Sequence, residues 1–152
     1  MTGGGQHADL RDVIELVESG IEALSFVDDG TDAVAYELLD RLDQWPHLGV
    51  VVSSPSSEDT DRLDGVTNVW VQDEIVVELR VSTARAPGQR EMRNRAFDHE
   101  QRIRAAVSGS ERLQLYRPTW LRTARSASDD RAWLHLLLSF RFERFERVRW
   151  VG

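Results

Sequence analysis

Apolar residues recur from Asp9 onward at Leu10, Val13, Ile14, Val17, Ile21 and Leu24, the spacing of one buried stripe on a helix. Asp9 is a fair N-cap for this helix, and Gly20 is a weak spot inside it. A second helical stretch is expected from Thr31, with Ala33, Tyr36, Leu39 and Leu42 facing inward and acidic positions outward. Trp45-Pro46 ends it, because proline cannot continue a helix and biases its predecessor away from helical geometry. Leu48-Gly49-Val50-Val51-Val52 then suits a short buried strand. Residues 53–64, Ser-Ser-Pro-Ser-Ser-Glu-Asp-Thr-Asp-Arg-Leu-Asp, are too polar to be packed and are expected as an exposed, flexible acidic loop.

The period changes in the second half. Val69, Val71, Ile75, Val77, Leu79 and Val81 occupy odd positions while Gln72, Glu74, Glu78 and Arg80 occupy even ones, which is the alternation of a half-buried strand or hairpin. After Ala86-Pro87-Gly88, Met92, Ala96, His99, Ile103 and Ala106 line one helical face, and Arg90, Arg93, Arg95, Arg102 and Arg104 decorate the others. This basic helix should end near Gly109. Leu113, Leu115, Trp120 and Leu121 are read as a strand interrupted by Pro118, hence at an edge or a bend. Ala132, Leu134, Leu136, Leu138, Phe140 and Phe142 alternate with Trp133, His135, Ser139, Arg141 and Glu143, giving the clearest strand of the chain and one that should be central.

The order helix, helix, strand, long strand or hairpin, helix, strand, strand implies an α+β fold, a mainly antiparallel sheet with helices packed on one face. The expected organisation is a flexible tail over residues 1–8 and a single domain over residues 9–152. A chain of 152 residues fits one domain and buries roughly 70% of its unfolded surface. With no Cys, neither disulfides nor thiol chemistry is available. The start lacks the charged and apolar regions of a secretory signal, and no apolar run approaches the ~20 residues of a membrane span, so a soluble, unexported protein is expected.

Charge sharpens the picture. Residues 1–64 hold 15 Asp/Glu against 3 Arg, net −12, whereas residues 65–152 hold 16 Arg against 11 Asp/Glu, net +5. A split of this size points to a surface that pairs with something, a second copy of the chain being the first candidate. All 19 basic residues are Arg, so every cation can grip a carboxylate or phosphate in a fixed two-pronged geometry.

Catalytic chemistry finds little support. His7, His47, His99 and His135 are far apart and show none of the spacings of metal sites. No GxSxG nucleophile elbow occurs. Asp28-Asp29 and Asp129-Asp130 sit at turns, where Asp is favoured for backbone reasons alone. Gly3-Gly4-Gly5 neither follows a strand nor ends in Lys-Ser/Thr, so it is no phosphate loop. The sequence therefore nominates no catalytic residue, no cofactor and no metal. The Arg-rich helix over residues 90–104, with Tyr116 and Trp120 nearby, could present a phosphate-binding face. Glu91, Asp98 and Glu100 on the same helix favour a salt-bridged surface instead.

The block Asp73-Glu74-Ile75-Val76-Val77-Glu78-Leu79-Arg80-Val81, the helix from Arg90 to Val107, and Leu121-Arg122-Thr123 leading through Asp129-Asp130 to Trp133-Leu134-His135-Leu136-Leu137-Leu138-Ser139-Phe140 resemble the tail terminator or tail-completion proteins of tailed bacteriophages. The resemblance covers residues 66–146; the acidic segment 53–64 departs from it and leaves a neighbouring neck or connector role open. It implies a structural, non-enzymatic subunit without cofactor, assembled in the host cytoplasm into the tail or neck of a virion. Such subunits form a ring, usually a hexamer, that caps the tail tube, stops its polymerisation and meets the head connector, with DNA passing through the lumen. The partners expected are thus the chain itself, the tube protein and the connector, with no sequence-specific nucleic acid and no membrane. Candidate contacts with a neighbouring subunit or partner are Trp70 and Trp133, on otherwise polar strand faces, and Arg93, Arg102, Arg122 and Arg125. In a ring the acidic segment would line the lumen, where negative walls keep DNA from sticking.

Overall fold

A computed structural model describes residues 8–24, 34–35, 48–64, 68–83 and 88–147. Helix α1 (Leu10–Glu22) is followed by strands β1 (Val34–Ala35), β2 (Leu48–Asp64) and β3 (Asn68–Ser82). Helices α2 (Gln89–Gly109) and α3 (Glu111–Gln114) come next, then strands β4 (Thr119–Ala127) and β5 (Trp133–Arg147). The strands form one sheet in the order β1-β2-β3-β5-β4, antiparallel except for the short parallel β1–β2 pairing. This is the expected α+β architecture, and β5 is interior as its alternation implies.

Directly opposed residues of a sheet share a face, so the register sorts the side chains. Val50, Leu79, Leu136 and Arg125 form one row across four strands, and Val52, Val77, Leu138 and Thr123 the next. These rows face the helices. Val13, Val17 and Ile21 of α1 and Met92, Ala96, Ile103 and Val107 of α2 close over Ile75, Val77, Leu79, Leu136, Leu138, Phe140 and Phe142, most of them wholly shielded from water. A core of this size is the main stabilising term, each buried Leu, Val or Phe contributing about 1.5–3 kcal/mol. The intervening rows, Val51–Glu78–Leu137–Ala124 and Ser53–Val76–Ser139–Arg122, lie on the opposite face. There Leu137 is substantially exposed.

Four expectations change. The polar segment 53–64 is not a loop: it continues β2 and pairs with β3 as far as Asp64↔Asn68. Polar composition signalled exposure, but a strand can be ordered by backbone pairing without being buried. The Ser54 hydroxyl donates to the Glu74 carbonyl at 2.8 Å and the Ser57 hydroxyl to Asp73 at 2.6 Å. Pro55 falls in the register shift between Ser53 and Ser56, where a missing N–H does no harm to the ladder. Second, Val34–Ala35, expected in a helix from Thr31, pairs as a strand with Leu48 and Gly49, and the rest of that stretch lies outside the described residues. Third, Leu113 belongs to a helical turn capped by Ser110, and only from Thr119 does the edge strand begin, just after Pro118. Fourth, the buried stripe of α2 takes in Glu100 and Val107, with His99 and Ala106 half-buried beside it.

Gly88 explains the start of α2. Its φ of 123° lies in the left-handed region, which a side chain would strain. At the β4–β5 turn, Ser128 and Asp130 provide the bonds: the Ser128 N–H donates to the Trp133 carbonyl at 2.9 Å and the Ala132 N–H to the Asp130 carboxylate at 3.0 Å. The Ser128 hydroxyl, and then the Ala132 N–H, hold the Asp130 carboxyl below its ordinary value of 3.8.

Candidate functional site

Two carboxylates are buried in the sheet and helix layer, and each meets one Arg. Asp73 is the polar residue in the apolar odd register of β3, and it lies opposite Phe142 on β5. The Arg144 guanidinium donates to it from Nε at 2.7 Å and from Nη2 at 3.4 Å, with side-chain exposures of 4% and 0%. Arg144 also donates to the Ala8 carbonyl at 3.2 Å, and the Ala8 N–H donates to the Phe145 carbonyl at 3.3 Å. The network therefore ties the entry to α1 to β2, β3 and β5 at once. Glu100 forms the second pair: its carboxylate is 2% exposed, and Arg125 of β4 donates to both of its oxygens at 2.8 Å. This bond clamps α2 to the edge strand. Among the described residues no group of His, Asp and Glu could hold a metal ion.

The exposed surface is more informative. β4 is an edge strand, exposed along nearly its whole length. A register shift between Trp120 and Arg122 makes Leu121 the extra residue and reverses the alternation. Trp120 is consequently turned to the helix side, where the Arg104 guanidinium lies 3.8 Å from its ring centroid, while Arg122 is turned to the other face. Phe97, Trp120 and Leu121 are each more than a third exposed, and Arg125 sits 5.7 Å from the Phe97 ring centroid. Apolar and cationic surface is thus concentrated along β4 and the adjoining flank of α2. A second aromatic cluster lies at the far end of the sheet. Trp70 packs on Phe145 with ring centroids 5.3 Å apart, and Arg117 stands 5.7 Å from the Trp70 ring. With Leu115, Glu143 and Arg144 they line a cavity of about 180 Å³.

No protein-family model matches the chain, and no curated protein matches it in sequence. Its structure is similar to a chain from the virion of a native gene transfer agent (GTA) particle, with a TM-score of 0.51 and 16% identity over 84% of this chain and 90% of that one. What the two share is a fold. At this identity the likeness carries the architecture across nearly the full length of both chains and leaves the surface chemistry to each.

The six residues singled out from the sequence fall into two groups. Arg93 and Arg122 are exposed, the latter donating to Glu74 at 2.9 Å. Trp70, Trp133 and Arg102 are half-buried, Arg102 donating to the Leu24 carbonyl at the end of α1. Arg125 belongs with the exposed pair, and its guanidinium is engaged with Glu100. Trp70 has Phe145 and Arg117 against its ring. Phe97, which stands off the apolar stripe of α2, and Leu137, inside the Leu136-Leu137-Leu138 run, were readable as exposed apolar residues only once the covered face was known. On the helix-free face His135 lies opposite Arg80. Partial burial, and then Arg80, hold its imidazole below the ordinary value of 6.5, so it is neutral at pH 7. Among the described residues no helix is long and apolar enough to cross a membrane.

Proposed function

We propose that this chain is a structural subunit of a phage-like particle that caps the tail tube as a homo-oligomeric ring, terminates tail polymerisation and joins the tail to the head connector. The observation that carries the reading is the fold shared with a chain of a gene transfer agent virion over most of both chains. It agrees with the block of residues that resembles tail terminator proteins. The charge distribution supports assembly. α1, bearing Asp12, Glu15, Glu18 and Glu22, packs on α2, α3 and β2, while the Arg-bearing β4 packs on β5 and α2, so α2 stands between an acidic flank and a basic one. A head-to-tail ring needs two different faces on each subunit, and opposite flanks of opposite charge meet that need. A neighbouring neck position in the same particle uses the same features.

The nucleic-acid reading loses support from the Arg side chains themselves. Arg95 lies 3.7 Å from Glu91, Arg102 caps α1 and Arg104 covers Trp120, so much of the helix's charge serves the fold. The deciding experiment is the mass in solution by light scattering at low and high salt, followed by co-sedimentation with tail tubes. A ring-sized species that loosens with salt and binds tube ends is expected. A strict monomer at both salts that ignores tubes would sink the proposal.

A further inference from the structure

Among the described residues, β4 and the far part of β2 have no further strand beside them, and the two strands differ in charge. β1 pairs only with Leu48 and Gly49, so from Val50 onward β2 has no neighbour on its far side among the described residues. Its second half, residues 56–64, holds Glu58, Asp59, Asp61 and Asp64 against Arg62 alone. Ser56, Ser57 and Glu58 are exposed. The opposite edge is β4, which holds Arg122 and Arg125 and no acid; Arg125 is engaged with the buried Glu100, while the more exposed Arg122 makes a surface pair with Glu74. An open edge presents a row of unpaired N–H and C=O groups that a strand of another chain can satisfy.

We infer that the basic edge β4 of one copy pairs with the acidic half of β2 of the next, continuing the sheet from subunit to subunit. The inference rests on the ring reading and names the contact that builds the ring. Homotypic pairing is opposed by charge: β4 on β4 would bring the exposed Arg122 against its own counterpart, and β2 on β2 would gather acids. Only the heterologous combination matches, and a heterologous contact generates a ring or a filament. Strand direction agrees. Each neighbouring pair between β2 and β4 is antiparallel, so β2 and β4 run in opposite directions, and a second copy in the same orientation presents β2 antiparallel to β4. The levels differ: β4 lies beside residues 134–141 of β5, whereas the acidic half of β2 lies beside residues 68–74 of β3, which pair with residues 141–147 of β5. Successive copies are therefore staggered along the strands, as closing a sheet of tilted strands into a ring requires. Phe97, Trp120 and Leu121, at the margin of β4, add apolar surface to the contact.

The chain has no Cys, so introduced pairs report cleanly. The full-length Ala124→Cys/Glu58→Cys variant, treated with a short bismaleimide, is expected to give a ladder of covalent oligomers, and each single variant none. Arg122→Glu and Glu58→Arg should each shift the assembly to smaller species, and an equimolar mixture should restore the ring-sized mass because swapped edges meet their complements. Self-crosslinking of Ala124→Cys alone would establish a homotypic contact and overturn the inference. A ring-sized mass with no ladder and no response to the charge swaps overturns the edge contact while leaving the ring intact. A monomer that gives no ladder, even with tail tubes present, overturns both.

Discussion

Asp73 and Glu100 are each paired with one Arg, yet the two pairs should behave differently under mutation because water reaches only one of them. Arg144 and Asp73 are both shielded, so removing either partner strands a charge in the interior. Asp73→Ala or Arg144→Ala is expected to cost about 3–5 kcal/mol, read by urea unfolding. The double replacement Asp73→Leu/Arg144→Leu should cost less than the sum, because no unpaired charge remains. Arg125 is about half exposed. Glu100→Gln lets it turn to solvent and keeps a polar partner, and should therefore cost only about 1–2 kcal/mol. Arg125→Ala leaves the Glu100 carboxylate buried and should cost more than Glu100→Gln. Equal costs for these two variants would show that the pair is already hydrated.

Helix α1 carries a like-charged stripe at helical spacing. Partial burial raises the Glu18 carboxyl above its ordinary value of 4.5, and the neighbouring Glu22 and Glu15 raise it further. A carboxyl whose folded value is raised binds its proton more readily in the native state, so the strain is absent below the unfolded value and present in full above the folded one. Glu18→Gln should accordingly stabilise the protein at pH 7 by roughly 0.5 kcal/mol, with the gain vanishing as pH falls below 4.5. Denaturant midpoints at pH 7 and pH 4 test this. Gly20 lies in the same helix, and a Cβ built there would meet nothing within 4 Å. Gly20→Ala should add about 0.5–1 kcal/mol through helix propensity and a less free unfolded chain. At the β4–β5 turn, Arg131 adopts a φ of 58°. Arg131→Gly should relieve about 1 kcal/mol of left-handed strain, seen as a raised midpoint without a change in slope.

For the molecule as a whole, the packing puts the acids of α1 and the Arg residues of β4 on either side of α2. On the ring reading proposed above, attraction between them acts between copies, and exposed charges at that range are screened over about 8 Å at physiological salt. The mass of the assembly should therefore fall as salt rises from 50 mM to 500 mM, and charge reversal at Arg122 should reproduce the high-salt behaviour at low salt. A mass independent of salt would place the stabilising contacts in apolar surface such as Phe97, Trp120 and Leu121 instead.

Periodicity alone was enough for α1, β3, α2 and β5 and hence for the α+β class, because each of these elements buries one face and burial imposes its period on the residues. The end of α2 near Gly109 and the Asp129-Asp130 turn were legible from local residue types, a helix-ending glycine and an Asp whose carboxylate takes a nearby backbone N–H. Composition misjudged residues 53–64, since what orders them is a partner strand, and pairing leaves no hydrophobic signature. β4 was obscured by the extra residue Leu121, which puts Trp120 and Arg122 on opposite faces and breaks the alternation. The roles of Asp73, Glu100, Arg125 and Arg144 were likewise out of reach: each looks like a surface charge in its own segment, and only the approach of β5 to β3 and of β4 to α2 supplies the counter-charge that makes burial tolerable. The charge split between the halves was plain from the residues, but that the acids of α1 and the Arg residues of β4 come to lie on either side of α2 follows from the tertiary packing, a long-range property that no local pattern encodes.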